Sequence, residues 1–60
     1  MNSVRVLVGR NKGQVGRAVS ETETAVHVDF SRKILVNEGF GSMAYYDDAY
    51  WVNKKNVEPA

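Results

Sequence analysis

The sequence contains no cysteine. No disulfide can brace the fold, and no thiolate can bind zinc. One histidine, His27, and no further nitrogen ligand leave too few donors for a metal centre. The single proline, Pro59, lies next to the last residue. No apolar run approaches the roughly 20 residues that cross a bilayer, and no signal peptide is visible at the N-terminus. A phosphate-binding loop, a nucleophile elbow and a carboxylate pair with defined geometry are all missing, as are an internal repeat and an amphipathic helix of useful length. Eight Lys and Arg against seven Asp and Glu give a net charge of +1, so neither sign dominates. These absences point away from an enzyme, a cofactor, a small-molecule substrate and a membrane. The expected setting is soluble and cytoplasmic.

Sixty residues make one domain, 1–60. A chain this short hides only about 60% of the surface it exposes when unfolded. Closing a sheet on itself is one way to gather a single core from so little chain. Val4, Val6 and Val8 alternate with Arg5 and Leu7, the period of a strand with one buried face. Gly9 and Gly13 bracket Arg10, Asn11 and Lys12, and glycine tolerates the positive φ that a reversal of the chain needs. Val15 and Val19 share a parity, so a second strand starting near Gln14 can face the same interior. The opening stretch is a hairpin with a cationic tip.

The order Val-x-Val-Leu-x-Gly-x-x-Lys-Gly-x-x-Gly-x-Ala resembles the KOW motif of large-subunit ribosomal proteins and NusG-type transcription elongation factors. Its matching positions are Val4, Val6, Leu7, Gly9, Lys12, Gly13, Gly16 and Ala18, the family preferring valine at the last. The resemblance covers about a quarter of the chain. It implies a small five-stranded SH3-like β-barrel with a KOW-type first hairpin, and a binding role on RNA or on a protein of the expression machinery. Residues 50–59, Tyr-Trp-Val-Asn-Lys-Lys-Asn-Val-Glu-Pro, resemble the closing segment of SH3-like barrels: a strand, a 3₁₀ turn and a short last strand. Ribosomal KOW proteins are usually far more basic.

Further along, Glu21–Thr24 reads as a turn, and Val26, Val28 and Phe30 form the apolar face of a third strand. Ser31-Arg32-Lys33 ends that strand or forms a short connection. Residues 37–48, with Gly39, Gly41 and Ser42, are expected to be a long, partly irregular connection, with Asp47-Asp48 as a turn. Ala49–Val52 is the expected fourth strand, and Val57-Glu58 the fifth. The expected interior is Val4, Val6, Val8, Val15, Val19, Val26, Val28 and Phe30.

Basic residues concentrate early: residues 1–17 hold Arg5, Arg10, Lys12 and Arg17 and no acid. Arg32 and Lys33 form a second basic point. With Asn11 these are the candidate phosphate contacts, against the plain reading of a loop tip that is cationic for solubility. Five of the six aromatics fall between Phe40 and Trp51. Neighbours on a strand point to opposite faces, so Tyr50 with Trp51, and Tyr45 with Tyr46, cannot all be core. Tyr45 and Tyr46 are candidates for stacking on unpaired bases. His27 and Asp29 share a strand face without a nucleophile or further ligands, and read as a solvated face. The expectation is a non-catalytic module that engages nucleic acid, RNA ahead of DNA, or a nucleic-acid-containing complex of transcription or translation. The alternative is a protein-interaction module using the aromatics of residues 40–51, including a small viral accessory protein acting on a host complex.

Overall fold

A computed structural model describes residues 3–60. Five antiparallel strands form one sheet: β1 (Ser3–Val6), β2 (Val15–Glu21), β3 (Ala25–Gly39), β4 (Ser42–Asn53) and β5 (Val57–Pro59). Their order across the sheet is β4-β3-β2-β1-β5, a four-stranded meander whose last strand folds back beside the first. The all-β, five-stranded architecture is as the sequence predicts. Closure into a barrel is not: among the described residues β4 and β5 remain the two edges of an open sheet.

The core is a small set of valines. Val4 and Val6 from β1, Val26 and Val28 from β3 and Val52 from β4 are buried, and Ala18, Phe30, Tyr50 and Val57 pack around them half-buried. Each such valine contributes about 1.5–3 kcal/mol relative to exposure. Three expected core residues lie outside. β1 ends at Val6, whose N–H donates to the Gln14 carbonyl at 3.0 Å and whose carbonyl accepts from Gly13 at 2.7 Å. Leu7 then turns to the Asn56 carbonyl at 2.9 Å, leaving Val8 exposed in the loop. In β2 the parity is the reverse of the one expected. Gly16 and Ala18 face inward, and Val15 and Val19 face solvent. A Cβ on Gly16 would stand 2.5 Å from Val28 Cγ1 and 3.1 Å from the Asp29 carbonyl oxygen, so small residues are what lets β2 lie against β3.

β3 pairs with β2 only as far as Asp29, opposite Arg17. The ladder with β4 then breaks between Asp29 and Lys33, where Ser31 has φ 59° and donates its N–H to Asp29 Oδ1 at 2.8 Å. Rather than ending there, β3 resumes at Lys33, opposite Asp47, and runs on to Gly39, opposite Ser42. Residues 33–47 are thus a two-stranded arm beyond the five-stranded body, and the molecule measures 39 Å against 21 and 17 Å. This corrects the irregular connection expected at 37–48 and the turn expected at Asp47-Asp48. The glycines do not interrupt the strands but sit at the tip, where Gly39, Phe40 and Gly41 all have positive φ. The 3₁₀ turn Lys54–Asn56 follows β4, capped by Asn53 Oδ1 accepting from the Lys55 N–H at 3.0 Å.

Candidate nucleic-acid interface

The loop from Leu7 to Gln14 is held by its own backbone. Lys12 donates to the Gly9 carbonyl at 3.1 Å and Gln14 to the Asn11 carbonyl at 2.9 Å, with Gly9 and Gly13 at φ 82° and 86°. That folding turns Asn11 inward, to 2% exposure, and puts Arg10 at the rim. On β4, Asp48 shares the inward parity of Tyr50 and Val52, and its side chain is 1% exposed. The bulge in β3 brings Arg32 over it.

Asp48 joins these pieces. Its Oδ1 accepts from Arg10 at 2.5 Å and its Oδ2 from Arg32 Nε at 2.8 Å. Arg32 also donates to Asn11 Oδ1 at 2.5 Å, and Asn11 Nδ2 donates to the Tyr50 hydroxyl at 3.0 Å. Arg10 lies over the Tyr50 ring at 4.7 Å and Arg32 over Phe30 at 5.7 Å. Burial is the largest single influence on the Asp48 carboxyl and pushes its pKa up. The hydrogen bonds from Arg32 and Arg10, with their charges, outweigh it and hold the carboxyl below the usual range. Two guanidiniums on one carboxylate leave one positive charge uncompensated. The side chains of Arg10 and Arg32 remain 58% and 45% exposed, with N–H donors free to take a second acceptor.

The structure brings together Arg10, Asn11 and Arg32, with Lys12 exposed on the same loop. It does not gather the rest. Arg5 pairs with Glu58 at 3.0 Å, and Lys33 pairs with Asp47 at 2.8 Å across the outer face of the arm, which raises the Lys33 pKa. Arg17 lies exposed on β2, on the face opposite Ala18. Tyr46 faces Ile34 on the side of the arm that carries Asp48, and its hydroxyl donates to Glu38, which raises the phenol pKa. Tyr45 faces Leu35 on the other side. Both tyrosines are exposed, as are Phe40 and Trp51, the latter stacked on His27 at 5.1 Å between ring centroids.

Sequence reasoning missed Asp48 and Tyr50 as parts of this site. The signal was the alternation Tyr46, Asp48, Tyr50, Val52, which extends the expected fourth strand backwards and turns Asp48 inward. Among the described residues, no three His, Asp or Glu side chains come together to hold a metal ion. In comparisons with known proteins, no protein-family model, no curated protein and no solved structure matches the chain.

Proposed function

We propose that the chain is a non-catalytic, KOW-like binding module that takes nucleic acid, single-stranded RNA ahead of DNA, at the loop Arg10–Lys12 and Arg32. The observation that carries this reading is the pair of half-exposed guanidiniums fixed on the buried Asp48, with a surplus of one positive charge. Arginines held in place lose little freedom when they take a phosphate oxygen, and their forked donors suit it. Asn11 serves as a brace under that pair rather than as a contact, since its amide already binds Arg32 and Tyr50. An SH3-like reading of the fold draws support from β5 lying beside β1 and from the 3₁₀ turn before it.

Ion pairs reduce the number of cations available for phosphate. With Arg5 and Lys33 engaged on Glu58 and Asp47, and Arg10 and Arg32 sharing Asp48, the site offers one net positive charge from the arginine pair and one from Lys12. Affinity for a short single strand should then fall with salt at a logarithmic slope of about −1.4. Lys12→Ala should flatten that slope by about 0.7 whatever the base sequence, and Tyr46→Ala should weaken binding without changing it if the ring stacks on a base. No binding of a single-stranded RNA at ~50 mM salt would reject the proposal. A protein-interaction module is favoured by a different observation, the exposure of Phe40, Tyr45, Tyr46 and Trp51. Partner capture abolished by aromatic but not by basic substitutions would support that reading instead.

A further inference from the structure

Among the described residues, the arm formed by 33–47 has two open edges and two apolar faces. Its outer face carries Leu35 opposite Tyr45, with Met43 opposite Asn37. The inner face carries Val36 opposite Ala44 and Ile34 opposite Tyr46, and Phe40 stands fully exposed at the tip. Leu35, Met43 and Tyr45 on the outer face are each at least half exposed, while Val36 and Tyr46 on the inner face are exposed to a lesser degree.

The two edges of the sheet are unequal. β5 is three residues long and ends in Pro59, which cannot donate to a further strand. β4 has twelve residues and contains no proline, lysine or arginine along its length. Charge and proline are the usual devices against pairing at an open edge; β4 carries its charges, Asp47 and the inward Asp48, toward the body, and the stretch from Ser42 to Tyr46 has neither charge nor proline.

We propose that the β4 edge pairs antiparallel with β4 of a second copy of this chain, about a two-fold axis at Ala44. An isologous contact needs a surface that complements itself, and this register supplies one. Met43 then lies beside Tyr45 of the second copy, and Tyr45 beside its Met43, a sulfur-to-aromatic contact made twice. On the outer face Leu35, Tyr45 and the second copy's Met43 form one row across the joint sheet. On the inner face two alanines meet at the axis between two valines. Asp47 falls opposite Gly41 of the second copy, so the two aspartates stay apart. Residues 34–46 carry a single charge, Glu38, already bonded to Tyr46. Such a surface attracts neither phosphate nor an anionic membrane. The pairing is independent of the nucleic-acid reading, because RNA titration and oligomeric state are separate measurements.

The test combines sedimentation equilibrium from about 5 to 500 μM with single-cysteine cross-linking, which the absence of native cysteine makes clean. Across the axis of an antiparallel pair the Cα atoms lie about 4.5–5.5 Å apart, within the span of a disulfide. Ala44→Cys should therefore oxidise to a covalent dimer, whereas Lys12→Cys on the first loop should not. Tyr45→Lys, which puts a cation on the bare edge, should weaken the dimer at least about tenfold while leaving the body's circular dichroism unchanged. A monomer at 500 μM would overturn the proposal. A dimer indifferent to Tyr45→Lys, or cross-linked equally through both cysteines, would place the contact elsewhere and overturn it too. Open-ended polymers would replace the two-fold contact with a head-to-tail one.

Discussion

Asp48 accepts from two arginines that reach it from different parts of the chain, 38 and 16 positions away. Each pairing ties an irregular segment, the first loop and the bulge in β3, to the sheet. Breaking a fully buried ion pair costs about 3–5 kcal/mol because a charge is stranded without partner or water. Here the arginines are half-exposed and can recover water, so Asp48→Asn should cost about 1–3 kcal/mol in urea unfolding. The depressed carboxyl pKa fixes the sign of the pH dependence. Folding favours the ionised form, so this contribution is fully present above the ordinary value of 3.8 and is lost as pH falls through the lower folded value. The parent should therefore lose more stability than Asp48→Asn below about pH 4. Parallel loss in both proteins would show that Asp48 is not the linked group. Lys33 and Tyr46 are shifted the opposite way, but their partnerships lie in solvent, where screening leaves little net stabilisation. The cations of this site were legible in the sequence. Their shared carboxylate was missed, because the turn-like composition of Asp47-Asp48 masks the alternation Tyr46, Asp48, Tyr50, Val52 that runs through it.

At the scale of elements, the first hairpin shows where alternation is sufficient and where it misleads. Val4 and Val6 face inward as the pattern indicates, and Gly9 and Gly13 take the positive φ that the loop requires. β2 defeats the same reasoning because its inward positions are small, Gly16 and Ala18, and its valines are outside. Apolar periodicity assumes that the core side of a strand carries the bulk, which fails where a neighbouring strand comes too close to admit it. Gly16→Ala tests this directly. The added carbon meets a valine side chain and a backbone carbonyl that cannot move aside, so a loss of about 1–3 kcal/mol in thermal or urea unfolding is expected. Gly13→Ala meets nothing within 4 Å and should lose only the cost of a left-handed residue, about 1–2 kcal/mol. Equal stability of Gly16→Ala and the parent would mean that β2 stands further from β3 than the 2.5 Å approach to Val28 implies. The second hairpin was illegible for another reason. Glycines that cap a long ribbon at its tip look, in sequence, like glycines that break it.

Across the whole molecule, stability is divided unevenly between a body and an arm. Every residue of the valine core lies in β1, the first half of β3 or the second half of β4. Among the described residues no third strand lies beside 33–47, and a two-stranded ribbon is marginal in water by itself. Local opening follows that division, since amides exchange with solvent according to the free energy of the smallest opening that exposes them. In dilute solution Val26, Val28 and Val52 should be among the slowest amides to exchange. Those of Leu35–Asn37 and Met43–Tyr46 should exchange at least about a hundredfold faster. Raising the concentration past the point of dimer formation should then slow amides on the β4 side of the arm, because pairing supplies the acceptors that the free edge lacks. Amides directed from β3 to its own open edge should change little, since β3 lies on the outside of the joint sheet. Hydrogen exchange followed by NMR at two concentrations reads this asymmetry directly. Equal slowing on both strands would point to face-to-face packing of arms instead of edge pairing, and no slowing anywhere would leave the arm without a second copy to cover it.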